Sequence, residues 1–365
     1  MQRRQFIQIS LAGMAAAWAF PAFANGERRA ASLRFLSSVD DGLSGHFIAA
    51  ADNTGAQLFR IPVPERCHSG CLHPHADQAV ILSRRPGRNL YVINMLEGNL
   101  ETVVEAGNGF HFYGHGVFSK AGDRFYATAN HYPGGEGVIR VYAVNEGYRH
   151  LEDLAVGGMD PHELRLHPDG EQLVVALGGI KTHPDYGRIK LNLESMRPAL
   201  VVLDRRSGTI AQRCEPSHPQ LSCHHLDISP EGIVIAGYQF EGDKWQTPPL
   251  IARLDTRNGN FSEIDAGAQQ SDLGNYTASV AVHPQSPVAA VTAPRGNTVM
   301  LLDYRAGTVI GLVPVPDPGG VLAEPDGSFL VSSGHGGLYR VRGVTQAPEL
   351  IARHPLRWDN HLTRT

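Results

Sequence analysis

The sequence predicts an all-β fold, a single β-propeller, from three observations. Similar segments follow one another along the chain, and the first three begin about 47 residues apart, the spacing of propeller blades. The chain contains 40 glycines and 24 prolines, as expected for short strands joined by many turns. Its 365 residues exceed the usual size of one compact core, and repeat architectures are the usual exception to that limit.

Each repeat contains the same series of elements. A short alternating strand leads into a turn of the His/Ser-Pro-x-Gly type, and an apolar strand, a polar or glycine-rich hairpin and a third strand follow. Six such segments begin with "CHSGCLHP", "YGHGVFSK", "DPHELRLHPDG", "CHHLDISPEG", "YTASVAVHP" and "DPGGVLAEPDG". The segment before them, "LRFLSSVDDGLSGHFIAAADNTGAQLFRIPVP", supplies strands for one more. The repeats therefore predict seven four-stranded blades, closed where the two ends of the chain meet, although six or eight blades also fit the spacing.

The first 24 residues have the pattern of a signal peptide. Arg3 and Arg4 precede Phe6 and Ile7, a short apolar run follows, and residues 22–24 (Ala-Phe-Ala) form a small-x-small cleavage site. Paired arginines in this setting are typical of twin-arginine export, with the general secretory route and an uncleaved anchor as alternatives. We therefore expect residues 1–24 to be the leader, residues 25–365 to be the propeller domain, and the protein to be periplasmic.

Charge and cysteine content limit the possible partners and covalent links. The net charge is −4, and removing the leader would bring it to about −6, which argues against a general nucleic-acid binder. No apolar run after the leader is long enough to span a bilayer.

In an oxidising compartment, at least one disulfide is the default expectation for four cysteines, with Cys214 and Cys223 as a plausible pair. Metal ligation is the alternative for these thiols.

The propeller fold assigns each histidine to one of two faces. The loop that enters the innermost strand lies on one face, and the Pro-x-Gly turn after that strand lies on the other. Candidates at strand entries are His68, His115, His162 and either His224 or His225. The turn histidines His73, His167 and His283 belong to the opposite face, where turn chemistry explains them.

The entry-face histidines are candidate metal ligands, with His115 and His162 as the central pair and His225 and His68 next. Imidazole suits iron, copper and zinc. Because one residue reverses the direction of a side chain on a strand, all four can reach the axis only if their entry loops differ. Polar lining of a wet channel and acid/base catalysis are the alternatives.

Hairpins on the same face add candidate ligand-binding residues. These are Arg85, His183, Lys190, Asn192 and Arg295, of which the middle three belong to a long insertion over residues 178–198. Arginine binds carboxylates and phosphates in bidentate geometry, so an anionic metal chelate would suit both sets of residues. The insertion contains apolar residues and is expected to be an ordered lid, with an ordinary surface loop as the alternative.

Catalytic motifs are missing from the sequence. It contains no HExxH, paired CxxC or CxxCH motif and no GxSxG elbow, P-loop or dinucleotide fingerprint in a suitable setting. No catalytic residue is therefore assigned.

The chain resembles an exported bacterial family called domain of unknown function family 1513. The resemblance rests on the leader and on "GHGVFS", "PHELRLHPDG", "GGIKTHPDYGRIKLNLESMRP", "HHLDIS" and "TAPRGN", and it covers essentially the whole mature chain. It implies a WD40/YVTN-like propeller. Genes of this family tend to lie beside those for imelysin-like iron-regulated proteins and a dihaem, cytochrome-like protein, which implies a role in iron acquisition or handling.

Three functional hypotheses follow. The first is a periplasmic propeller that binds a metal ion or anionic metal chelate, with iron first and copper or zinc as alternatives. The second is a scaffold for imelysin-like and cytochrome-like envelope proteins, with the insertion as contact surface. The third is an enzyme, either a metal-dependent hydrolase of the propeller lactonase type or a redox enzyme; histidine-rich entries argue against the lactonase type, which needs carboxylate and asparagine ligands.

Overall fold

Seven antiparallel sheets form a closed ring in the structure, a computed structural model that describes residues 33–187 and 189–364. Six of the sheets consist of four strands that are consecutive in the chain, and the seventh combines strands from both ends. The predicted all-β propeller of seven four-stranded blades is confirmed. The predicted leader, residues 1–24, lies outside the described residues.

The strands are numbered in chain order, and the first three belong to the blade that closes the ring. They are β1 (Leu33–Asp40), β2 (His46–Asp52) and β3 (Gln57–Val63). Blade 1 contains β4 (Cys67–Leu72), β5 (Gln78–Ser83), β6 (Asn89–Asn94) and β7 (Asn99–Glu105). Blade 2 contains β8 (Phe110–Phe118), β9 (Arg124–His131), β10 (Glu136–Ala143) and β11 (Arg149–Ala155). Blade 3 contains β12 (Pro161–Leu166), β13 (Gln172–Leu177), β14 (Ala199–Asp204) and β15 (Ile210–Cys214).

The second half of the chain follows the same order. Blade 4 contains β16 (Leu221–Ile228), β17 (Ile233–Phe240), β18 (Ile251–Asp255) and β19 (Asn260–Ile264). Blade 5 contains β20 (Ser279–Val282), β21 (Val288–Ala293), β22 (Thr298–Asp303) and β23 (Thr308–Pro314). Blade 6 contains β24 (Pro318–Ala323), β25 (Phe329–Ser333), β26 (Gly337–Val341) and β27 (Glu349–Arg353). Blade 7 adds β28 (Arg357–Trp358) and β29 (Thr363–Arg364) to β1–β3.

Short 3-10 helices occupy some of the connections, and the described ranges contain no α-helix. The 3-10 helices are Val144–Glu146, Pro184–Tyr186, Leu193–Ser195, Gly267–Gln269, Ser271–Leu273 and Pro294–Gly296. In the described part of the chain, no helix has the length and apolar character needed to cross a membrane.

The core lies between neighbouring blades. The middle strands are covered on both faces, so they are apolar runs rather than alternating patterns; β13, for example, is buried from Leu173 to Leu177. One buried cluster joins Val174 of blade 3, Ile235 of blade 4 and Val291 of blade 5. The outermost strands face solvent, and β7 is exposed along most of its length. The first strands of neighbouring blades contact one another, which places them at the axis of the ring.

The C-terminal residues close the ring by forming the innermost strand of blade 7. Trp358 of β28 pairs with Val39, and Thr363 of β29 pairs with Leu36, so both pieces align on β1. Residues 359–362 interrupt this strand at the axis. The Trp358 ring, 3% exposed, packs edge-on against Phe35 with ring centroids 5.5 Å apart.

The expected disulfide is not formed. All four cysteines lie in the described ranges, and all four are free thiols. Cys214 ends the outer strand β15 of blade 3, whereas Cys223 lies in the innermost strand β16 of blade 4. Both are buried in the same apolar cluster, but closeness along the sequence does not ensure the Cβ orientation that a disulfide requires.

Trp358→Ala should destabilise the fold by removing the main apolar anchor of the closing strand. We expect a loss of about 3–5 kcal/mol in the free energy of unfolding, as for other buried tryptophans. Trp245→Ala is the matched control, because Trp245 is 79% exposed and its removal should change stability by less than about 0.5 kcal/mol. Chemical denaturation followed by circular dichroism measures both, and equal losses would argue against ring closure through Trp358.

Candidate metal centre

Irregularities in the innermost strands place the histidines at the axis. The pairing register shifts between Cys67 and Gly70 in β4, Phe112 and Gly116 in β8, Pro161 and Glu163 in β12, and Cys223 and His225 in β16. These shifts contain His68, His115, His162 and His224, respectively. An extra residue in a bulge leaves the ladder and re-aims its side chain. The differences in entry geometry that the sequence required are therefore present as bulges.

Gly114 shows how closely the bulges of adjacent blades approach. Its φ is +105°, and a Cβ built on it would lie 2.7 Å from Cβ of His68. A glycine is needed here both for the backbone conformation and for the space that His68 occupies. The "YGHG" sequence of β8 thus presents His115 while leaving room for the histidine of blade 1.

Six imidazoles gather at the axis: His68, His115, His162, His224, His225 and His361. Ring centroids are 5.0 Å apart for His68 and His115 and 5.4 Å apart for His115 and His162. His361 lies 4.5–4.7 Å from His68, His115 and His225. Five of the six are at least nine-tenths buried, and the His162 side chain is 17% exposed. The four predicted metal ligands, His68, His115, His162 and His225, therefore lie together. His361, which sequence reasoning missed, lies among them.

The donor atoms form three overlapping groups, each with its atoms within 4.8 Å of one another. The groups are His115, Glu163, His225 and His361; His68, His115 and His162; and His162, His224 and His225. Four imidazoles bound tetrahedrally to one ion at 2.1 Å would have ring centroids about 5.2 Å apart. The centroids of His115, His225 and His361 are 4.6–5.6 Å apart, so this His/Glu cluster could bind a metal ion with small adjustments.

Buried carboxylates contact Nδ1 of three of the rings and so orient them. Asp359 accepts a hydrogen bond from Nδ1 of His68 at 2.7 Å, and one oxygen of Glu163 lies 3.1 Å from Nδ1 of His225. The other Glu163 oxygen lies 3.6 Å from Nδ1 of His115. A carboxylate on Nδ1 fixes the tautomer and leaves Nε2 available to a metal. Nε2 of His115 and Nε2 of His361 are buried and have no hydrogen-bond partner in the described part of the chain.

Burial keeps five of the axial imidazoles neutral. It lowers the pKa of His68 to about 4, even though Asp359 opposes the shift. For His115 and His361, burial and then the neighbouring imidazoles hold the pKa well below the usual value. Burial also lowers the pKa of His162 and of His225. A neutral imidazole keeps the lone pair that a metal requires.

Cations pair with the same carboxylates. Burial would raise the pKa of Asp359, but His68 and Arg84 outweigh it and hold that pKa well below the usual aspartate value. Arg66 contributes to this and lies 2.6 Å from the same carboxylate. On Glu163, Arg165 is 2.9 Å from the carboxylate, and together with His225 it lowers a pKa that burial alone would raise. The carboxylates that orient the rings are thus held in their charged form.

A basic cavity of about 530 Å³ opens above the histidines on the entry face. His68, His162, His224 and His225 contribute to its lining, together with the cationic residues Arg66, Arg84, Arg85, Lys190 and Arg295. Arg66 and Arg84 pair with Asp359, and Lys190 pairs with Glu241. Among the described residues, Arg85 and Arg295 have no carboxylate partner, and the Arg295 guanidinium lies over the Tyr276 ring.

The insertion of residues 178–198 supplies one wall of this cavity through Ile180 and Lys190. The other two predicted residues of the insertion do not line the cavity. Asn192 accepts a hydrogen bond from the Lys181 backbone amide and donates one to the Gly179 carbonyl, which holds the insertion together. The His183 ring accepts a hydrogen bond from the backbone amide of Asp185 within the insertion. A ligand-binding role for these two residues stays a prediction.

Turn histidines lie on the opposite face, as predicted. Nδ1 of His73 accepts backbone hydrogen bonds within its own turn, and Nε2 lies 3.1 Å from the Gly122 carbonyl of the next blade. His283 makes the equivalent contacts, with Nε2 3.0 Å from the Glu324 carbonyl. His167 bonds to Thr256 instead. These rings close turns and link adjacent blades.

Sequence reasoning missed His361, Asp359 and Asp160. "DNHL" stands at the strand-entry position of blade 7, which was the available signal, but its strand is split into two pieces of two residues and has no Pro-x-Gly turn. Asp160 precedes β12 with a φ of +58° and is fully buried next to His162 and His224. Its importance depends on the bulge, which the sequence pattern does not reveal.

Gly114→Ala should disturb the site by placing a methyl group where the His68 side chain lies. We expect it to lower the free energy of unfolding by about 1–3 kcal/mol more than Gly147→Ala, because the new methyl group must displace His68. Gly147 is the matched control, since its φ is also positive at +66° but no atom lies within 4 Å of its added Cβ. Equal losses in denaturant titrations would show that the contact with His68 is unimportant.

Comparison with known proteins places the chain in a family. No curated protein matches it. Among solved structures, a chain of the Kuenenia stuttgartiensis hydrazine synthase is similar, with a TM-score of 0.62 at 13% identity, covering 86% of this chain and 94% of that chain. At this identity, the likeness supports the propeller fold alone. The model of a family described as "Protein of unknown function (DUF1513)" matches residues 61–365. The match spans most of the chain, and the protein therefore belongs to this family.

Proposed function

We propose that this protein binds a transition-metal ion in the axial histidine cluster and holds an anionic ligand of that ion in the basic cavity. The observation that carries the proposal is the convergence of His115, His225 and His361, each from a different blade, with Glu163 behind two of them. Such a set of buried, neutral imidazoles has no role in apolar packing. Imidazole with carboxylate support is a donor set for iron, copper or zinc.

The cavity extends the proposal to an anionic ligand. Arg85 and Arg295 provide charges that no carboxylate of the described chain neutralises, on the same cavity that His162 and His225 line. A carboxylate chelate of a metal ion could place its metal on the imidazoles and its oxygens on the guanidinium groups.

Iron and the periplasm complete the proposed role. The twin-arginine pattern of residues 1–24 supports export, and the gene neighbourhood implied by the family resemblance supports iron handling over copper or zinc. Export of a folded protein would allow the metal to be bound before the protein crosses the membrane.

One observation favours the scaffold as a second candidate function. The insertion exposes Tyr186 by 56%, Ile189 by 60% and Leu191 by 41%, an apolar character that suits a protein contact. In that role, the partners would be the imelysin-like and cytochrome-like envelope proteins. The metal analysis below separates the two candidates, because a scaffold would keep its function without the axial donors.

His115→Ala/His225→Ala should remove bound metal. Losing outer-shell partners alone weakens metal affinity by about 10–100-fold, so losing two donors should weaken it by more than about 100-fold. Elemental analysis for iron, copper and zinc on protein purified from the full chain is the measurement. The control is His75→Ala/His150→Ala, which removes two exposed histidines outside the cluster. Equal metal content in wild type and both variants, all shown to be folded by circular dichroism, would contradict the proposal.

Arg85→Ala/Arg295→Ala should weaken binding of ferric citrate, used as a carboxylate chelate. Each charged hydrogen bond contributes about 1.5–3 kcal/mol, so the dissociation constant should rise at least about 10-fold in calorimetric titrations. Arg206→Ala/Arg257→Ala is the control, since these exposed arginines lie in turns between third and fourth strands, on the opposite face. Equal affinity in both double variants would remove the cavity from the proposal.

A further inference from the structure

We infer that the axial cluster is a two-metal centre. An inner ion would bind at His115, Glu163 and His361, and an outer ion would bind at His162, His224 and His225, beside the basic cavity. This inference rests on the proposed metal-binding function and concerns the number and placement of ions.

The first step is the number of donors. Six imidazoles provide six potential ligands, and the Glu163 oxygen that does not contact Nδ1 of His225 can provide a seventh, whereas a four-coordinate ion uses four. The donors also divide into three overlapping groups rather than one. His162 belongs to two of these groups but not to the group that contains His361. A single ion bound at the inner group would leave His162 and His224 without a ligand.

The second step is the sharing of donors. His225 appears in the group with His361 and in the group with His162 and His224. Its Nδ1 is directed at Glu163, so it has one nitrogen left and can bind one ion. If that ion is the outer one, His162, His224 and His225 form a complete donor group, and His115, Glu163 and His361 remain for the inner ion.

The third step is the environment of the outer donors. Asp160 is fully buried, and neither of its carboxylate oxygens has a hydrogen-bond partner within the described residues. They lie 3.7 Å from Nδ1 of His162 and 3.8 Å from Nε2 of His224, too far for good hydrogen bonds. A buried carboxylate without donors is unfavourable unless positive charge lies nearby. An ion on these two imidazoles would supply that charge.

Nitrogen atoms are available to this outer ion. Nδ1 of His224 is buried without a partner, because the contact of that ring to Ser222 uses Nε2 at 3.0 Å. His162 has Nδ1 toward Asp160, which leaves Nε2 for a metal. The two rings are stacked with centroids 4.1 Å apart, so one of them must rotate about its Cβ–Cγ bond when the ion binds.

The two positions differ in their access to solvent. His162, His224 and His225 line the basic cavity, whereas His115, Glu163 and His361 do not. The outer ion would have three protein donors and a coordination position open to the cavity, and the inner ion would be enclosed. An open position is the arrangement that binds an exogenous ligand. The anion held by Arg85 and Arg295 would therefore coordinate the outer ion.

Metal stoichiometry tests the inference. The full-chain protein is stripped of metal, titrated with Cu²⁺ and desalted, and copper per chain is measured by elemental analysis. We expect two ions in the wild type and one in His162→Ala/His224→Ala. We also expect one in His115→Ala/His361→Ala and two in the His75→Ala/His150→Ala control.

A measurement on the unmodified protein does not depend on how the variants fold. Two Cu²⁺ ions about 3.5–4 Å apart, the separation found in two-metal sites, should couple magnetically. The electron paramagnetic resonance signal of the fully loaded protein should then account for less copper than elemental analysis finds.

The outcomes separate the two proposals. One ion per chain in the wild type, or two ions whose number does not fall in His162→Ala/His224→Ala, overturns the two-metal inference and leaves the metal-binding function standing. A full, uncoupled signal from two ions also overturns it. Copper retained by the wild type no better than by His115→Ala/His225→Ala overturns the metal-binding function itself.

Discussion

The pairing of the C-terminal residues with β1 is the interaction on which the rest of the structure depends. It closes the ring, and it also brings Asp359 and His361 to the axis. Asp359 bonds to His68 of blade 1, while Ser37 of β1 donates a hydrogen bond to the His361 carbonyl at 2.6 Å. Closure of the fold and assembly of the histidine cluster are therefore a single event, and neither the first blade nor the last can orient its histidine without the other.

A second constraint is that an innermost strand that directs a histidine to the axis is irregular there. The inner strands of blades 1 to 4 shift register where their histidines lie. The pairing of β20 in blade 5 is regular, and β24 of blade 6 shifts register without an axial histidine. The bulges sacrifice ladder hydrogen bonds at the axis to direct imidazoles inward, and the buried carboxylates then fix the rings. The apolar packing between blades, remote from the axis, provides the stability that allows such a polar centre.

Much of the fold could be predicted from the sequence because every blade of a propeller contains the same series of strands and turns. The alternating first strand, the Pro-x-Gly turn and the apolar middle strand recur, and that recurrence identified both the blades and the face on which His115 and His162 lie. The turn histidines were assigned by the same means. Convergence could not be predicted, because it depends on bulges whose register no repeat pattern specifies.

The residues that were missed have the same explanation. His361 belongs to a strand assembled from two short pieces, recognisable only once the ring is closed. The Asp160 carboxylate lies at the site because its backbone adopts a left-handed conformation, and the residue belongs to no recognisable sequence motif. The expectation of a disulfide failed for a related reason: compartment and spacing are properties of the chain, whereas a covalent bridge depends on how two Cβ atoms face each other.

The position of His361 in the chain has a consequence for biosynthesis. A ribosome makes this histidine and Asp359 after all the other axial residues, so the centre cannot be complete until residue 361 has been made. Incomplete chains that end before blade 7 closes would leave the inner edge of β1 unpaired and lack part of the donor set. Metal occupancy would then report that blade 7 has closed the ring.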